Sequence, residues 1–140
     1  MQYPHPACDI YFNSDLHAVQ TVWKYAVAGE EFRTILNNIV KVLSEKQCNI
    51  IIADARKLSS ISKDDQEWII KEWYPAALNA GFSLEALIVK KDTFNEYVIQ
   101  KIVHHYDDEK VKSIYFHSYA DAEKWIKENV QELHGRDNAM

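Results

Sequence analysis

Cysteine, glycine and proline are scarce in this chain of 140 residues, which has two, three and three of them. Cys8 and Cys48 each adjoin an apolar run and show no C-x-x-C spacing, so they read as two free buried thiols rather than a disulfide or a zinc site. There is no glycine-rich phosphate loop, no G-x-S-x-G and no paired-histidine motif. Basic charge is not in surplus: 16 Lys and Arg stand against 21 Asp and Glu, for a net charge of -5, with no block of like sign. A nucleic-acid or anionic-membrane partner calls for a basic face and is therefore not expected. No apolar stretch approaches the ~20 residues that span a bilayer, and the first residues, MQYPHPACDIYF, lack a basic leader and a long apolar core. The expectation is a soluble, cytoplasmic protein without a membrane span. At this length it should form a single domain over 1–140, with a polar, frayed tail over 134–140.

What is present is a regular alternation of elements. Residues 8–13 and 18–25 are strand-like runs separated by Asn13, Ser14 and Asp15, the signature of an antiparallel hairpin. Over 30–46 the residues Phe32, Ile35, Leu36, Ile39, Val40 and Leu43 recur at helical spacing, with Gly29 at the start. A continuous apolar strand over 49–53 ends at Asp54. Ser62 with Asp65 caps a helix that runs towards Ala80 and stops at Gly81, burying Ile69, Trp73, Ala76, Ala77 and Ala80 and kinking at Pro75. A strand over 84–90 follows, then a helix capped by Thr93 and Glu96 with Phe94, Val98, Ile102 and Tyr106 on one face. A strand over 111–117 leads to a last helix capped by Ser118 and Asp121, with Tyr119, Ala122, Trp125, Ile126 and Val130 turned inwards. This order implies an α/β two-layer sandwich: a five-stranded mixed sheet, parallel except for one antiparallel edge strand, and four main helices.

The stretch 50–75, IIIADARKLSSISKDDQEWIIKEWYP, joins a buried strand, a polar loop and a Trp-rich helix. Loops leaving the carboxyl ends of parallel strands are where ligands and partners dock, so Asp54, Arg56, Lys57 and the serines at 59, 60 and 62 occupy the expected working surface. Trp68 and Trp73 add aromatic weight to it, with Trp68 one helix step off the buried stripe. A catalytic alternative would use Asp54, Lys90 and His117, which end the parallel strands, with His117 as a base oriented by Asp54. Strand ends turn polar in any fold, however, and no accompanying motif names a reaction. His104, His105, Asp107 and Asp108 look metal-like, but adjacent helical residues point about 100° apart, so a solvated helix end is the simpler reading and no metal or cofactor is expected.

Three words, VWKYAVAGEEFRTIL, IIIADARKLSSISKDDQEWIIKEWYPAALNAGF and IYFHSYADAEKWI, give the chain a resemblance to the SpoIIAA-like family, which is related to STAS domains and more distantly to lipid-binding CRAL-TRIO domains. The resemblance implies a STAS-like fold with five strands and four helices, no cofactor, and a regulatory or protein-interaction role with no catalytic residue. It also implies one alternative to a protein partner, carriage of a small apolar ligand between the sheet and the Trp68-containing helix, and, from the STAS relatives, phosphorylation of a serine after the central strand as a switch on partner binding. Ser59 and Ser60 are the nearest candidates for that phosphorylation, although here the loop after Asp54 is longer than in those relatives and has no glycine. Phosphate there would lie near Arg56, Lys57 and a helix start. A homodimer over the Trp-rich helix is the third partner expectation.

Overall fold

The computed structural model describes residues 3–138, with side chains as far as residue 129. Strands β1 (Cys8–Asn13) and β2 (Ala18–Trp23) form the hairpin, and β3 (Ile50–Asp54), β4 (Leu84–Ile88) and β5 (Lys112–Phe116) follow in spatial order β1-β2-β3-β4-β5. Only the first pair is antiparallel; the other three are parallel. Helix α1 (Glu30–Lys46) joins β2 to β3. A continuous rod of α2 (Lys63–Trp68), a π turn (Ile69–Trp73) and α3 (Tyr74–Asn79) joins β3 to β4. Helix α4 (Phe94–His104) joins β4 to β5, and α5 (Tyr119–Asn138) follows β5. The observed architecture is therefore an α/β fold with a five-stranded mixed sheet and four helices.

Strand order dictates the layers. Each parallel strand lies beside its predecessor in the same direction, so right-handed crossovers drop all three connecting helices on one face. Val19, Ile51 and Leu87 pack there against Phe32, Ile35, Ile69 and Ile102. The alternate residues Ala18, Ile50, Ile52, Ala86 and Ile88 point to the other face, where Ala122 and Ile126 of α5 cover them. The expected sandwich thus gains a third, single-helix layer, because a central strand that is apolar on both faces needs cover on both.

The capping signals form as the residues suggest. Ser62 Oγ accepts from the Asp65 amide at 3.2 Å, Thr93 Oγ1 from Glu96 at 3.1 Å and Ser118 Oγ from Asp121 at 3.2 Å. Helix α1 has Glu30 and Glu31 in its first turn and Lys46 in its last, each at the end its charge favours. The break before Pro75 takes a specific form. The Tyr74 amide bonds Ile69 O, five residues back, and Pro75, with no N–H to give, sits in the first turn of α3. The extra residue in that turn rotates the following face, so Tyr74 and Ala77 are buried and Ala76, expected inside, is exposed.

Phe94 is a second correction: it is 77% exposed, and the inward positions on α4 are Asn95, Val98, Ile99 and Ile102. Asn95 turns in because its amide donates to Leu58 O. The side chain of residue 130 and the tail over 134–140 lie outside the described side chains. Both cysteines are buried and unpaired, and burial pushes the Cys8 thiol up to about 12. No helix among the described residues is long and apolar enough to cross a membrane.

Candidate functional site

The parallel strands deliver their carboxyl ends to one rim. Asp54 closes β3, and the chain at once folds Arg56 back onto it: Nε reaches Oδ1 at 2.9 Å, Nη2 reaches Oδ2 at 2.7 Å and the Arg56 amide reaches Oδ1 at 3.2 Å. This two-pronged pair cancels both charges locally and fixes the start of the loop. Buried Leu58 and Ile61 pin the rest. The amide of Asn95 donates to Leu58 O, and Gln66 Nε2 donates to Ile61 O at 2.8 Å. Between these anchors Lys57, Ser59 and Ser60 are exposed.

Across from the loop, the end of β4 and the start of α4 complete a cleft of about 210 Å³, whose walls include Arg56, Ser59, Lys90 and Phe94. Phe94 and Tyr97 project beside it, 77% and 62% exposed, with ring centroids 6.2 Å apart. Their exposure is unusual in a chain that packs Trp23 on Phe32 and Tyr74 on Tyr106. The residues of the catalytic alternative are not joined: Asp54 is taken by Arg56, His117 Nε2 lies 3.0 Å from Glu96 Oε2, and Lys90 is exposed. His104 and His105 are exposed, and no cluster of three metal-ligating side chains occurs among the described residues.

Of the two tryptophans expected at the working surface, Trp73 lies in the buried stripe, as its spacing suggests, and Trp68 lies one step off it. Trp68 is half-buried under the Arg33 guanidinium, which lies 5.4 Å from its ring centroid. Trp73 is buried, its Nε1 donating to Leu36 O at 2.7 Å, and its indole lines an internal cavity.

That cavity, about 90 Å³, lies between the sheet and the helices on the three-helix face. Aliphatic and aromatic side chains make up most of its wall, and it contains no Lys, Arg or His. Two polar side chains on the sheet break the apolar surface. Thr21 is fully buried and its Oγ1 has no hydrogen-bond partner. Glu85, 6% exposed in the middle of β4, is reached among the described residues only by Ser113 Oγ at 3.5 Å. Burial pushes the Glu85 carboxyl up to about 8, against a smaller lowering by Ser113, so at neutral pH it holds its proton. Val103 and Tyr106 line this cavity and also a surface cleft of about 590 Å³ beside β5.

The pattern reading missed Glu85, although a signal was there: a lone charge inside the apolar LEALI of a central strand. No family model matches the chain, and neither a curated protein nor a solved structure matches it significantly.

Proposed function

We propose that this chain is a non-enzymatic, STAS-like interaction module that docks a protein partner on the rim built from the loop after Asp54, the end of β4 and the first turns of α4. The observation that carries this reading is the pair Phe94 and Tyr97, two large rings held side by side in solvent at the mouth of the cleft. Exposed aromatics of this kind anchor interfaces because they bury a large area at a small entropic cost. With Arg56 engaged by Asp54, Lys90 in the same cleft wall suits a partner that brings an apolar side chain to the rings and an acidic group beside them. The five-stranded mixed sheet with four helices is also the arrangement that the SpoIIAA-like resemblance implies.

The test is quantitative capture. A partner is isolated from the native cell by cross-linking, purified, and titrated against wild type, Phe94→Ala/Tyr97→Ala, and Lys124→Ala on exposed α5 as a control. Affinity at least tenfold weaker for the double variant, with the control unchanged, is the expected result. Equal binding by all three forms overturns the rim, and sedimentation of the same proteins shows whether the partner is a second copy of the chain.

A further inference from the structure

We propose that the cavity between the sheet and the three-helix layer is a binding site for one small, neutral, mainly apolar molecule, which enters past Val103 and Tyr106 and sets a hydrogen-bond-accepting oxygen against Glu85. This inference does not need the rim reading, although Ala55 and Leu58 line both the cavity and the rim cleft. It rests on a void, one unpartnered hydroxyl, one weakly bonded carboxyl and a route, all in one place.

The void and the polar groups are hard to explain as packing. Close-packed interiors keep few spaces larger than a water molecule. A buried hydroxyl without a partner destabilises the fold, and a carboxyl with one long contact does so at least as much. Position 85 lies in a strand whose other four residues are buried and apolar, where leucine would fit the pattern. A carboxyl there sacrifices stability, and a ligand that accepts its proton would recover part of it.

The chemistry of the wall narrows the occupant. Without a Lys, Arg or His in the lining, nothing would compensate an anion. Glu85, holding its proton at neutral pH, donates rather than accepts, which selects a carbonyl, ether or similar oxygen and disfavours a cation. The size follows from the volume. A water needs roughly 10 to 15 Å³, and an apolar cavity of roughly 150 Å³ accepts benzene. At about 90 Å³, the site takes a body of about three or four non-hydrogen atoms. Thr21, on the same face two strands away, offers a second polar contact at the far side of the space.

The route is read from shared walls. Tyr106 stacks on Tyr74 with centroids 4.3 Å apart, and Tyr74 Oη accepts from the Asp107 amide at 2.8 Å, so the ring at the mouth is held but not bonded to the sheet. Swinging Tyr106 away from Val103 would join the cavity to the outer cleft.

The experiment uses the full chain with labelled Ile, Leu and Val methyl groups, titrated with acetone and with its hydrocarbon counterpart isobutane, each followed by NMR. The expected result is saturable shifts of the methyls of Ile51, Leu87, Ile99 and Ile102 with acetone, at a Kd at least fivefold below that for isobutane. Glu85→Leu should remove the difference between the two probes, and Val103→Phe should slow exchange of the ketone at least tenfold. Because the contrast between probes is measured on wild type, it stands even where a variant folds poorly. Absence of saturable shifts at the cavity methyls for both probes, which would leave water as the only occupant, overturns the site. Equal affinity for the two probes overturns the role of Glu85.

Discussion

Asp65 Oδ2 accepts a hydrogen bond from the Gly29 amide at 2.9 Å, tying the start of α2 to the start of α1 across 36 positions of sequence. Its other oxygen takes Arg33 Nε at 3.1 Å, and its own amide completes the Ser62 cap. The carboxylate side chain is 1% exposed. Burial alone would raise its pKa, but the Gly29 amide, the Ser62 side chain and the Arg33 guanidinium outweigh that and hold it below the usual range. Replacement by Ala should therefore cost on the order of 2 to 4 kcal/mol, because it strands an amide and a guanidinium at a buried junction. The sign with pH follows from a depressed folded pKa: the contribution is present above the unfolded value near 3.8 and is lost as pH falls through the lower folded value. Urea unfolding of wild type and Asp65→Asn should differ most near neutral pH and draw together as pH falls through the lowered folded value; a constant difference would show that the ionised form is not what holds the junction.

Gly29 itself supplies the second prediction. Its φ of 68° lies in the left-handed region, while a Cβ built there would meet nothing within 4 Å. Gly29→Ala should thus destabilise by about 1 kcal/mol or more through backbone strain alone, with no rearrangement of the neighbours. Larger shifts in methyl or amide spectra at α2 than at Gly29 would point instead to a lost Asp65 contact.

These contacts mark how far the residues could be read without coordinates. Local signals were legible: the hairpin turn at Asn13, the period of α1, and the serine and threonine caps at 62, 93 and 118 all depend on neighbours a few positions away. Asp65 was recognisable only as the third residue after Ser62, because its partners at 29 and 33 are brought near by tertiary packing. Phe94 matched the spacing of Val98 and Ile102, yet Asn95 took the inward place to satisfy Leu58 O, a non-local need that periodicity does not encode. Asp54 and Arg56 were placed at the strand end, but not their mutual pairing, which quiets the charge expected to act there. The cavity behind Trp73 depends on side-chain volumes summed over six elements, and only the charge at Glu85 hinted at it.

Glu85 yields the third prediction. A carboxyl whose folded pKa is raised stabilises most below its unfolded value near 4.5, and that contribution is lost as pH rises towards about 8. Wild type should therefore lose roughly 2 to 4 kcal/mol between pH 5 and pH 8 relative to Glu85→Gln, which carries no titrating group there. Tyr115, pushed up to about 12, and Tyr106, raised well above 10, are the phenols electrostatically coupled to Glu85, and both titrate above this window. Every other titratable group is common to both proteins and cancels in the comparison. Parallel stability curves for the two proteins would mean that the carboxyl is not held protonated.

The last prediction separates two serines that are close in sequence and different in work. Ser62 Oγ caps α2, so Ser62→Ala should lower stability by about 1 kcal/mol whatever the partner does. Ser59 is exposed in the wall of the cleft with Arg56 and Lys90, and no fold contact depends on its hydroxyl among the described residues. A phosphate there adds a charge of about -2 beside two cations, one already engaged by Asp54, so it should compete for Arg56 and reshape the rim without loosening the core. Ser59→Asp should leave the melting temperature within about 1 °C of wild type and change affinity for the rim partner at least threefold, while Ser60→Asp, exposed but outside the cleft wall, should change it less. Calorimetric melting and partner titration of the three variants decide the matter. Equal partner affinity for wild type and Ser59→Asp would remove the phosphorylation switch while leaving the docking surface to be judged on Phe94 and Tyr97.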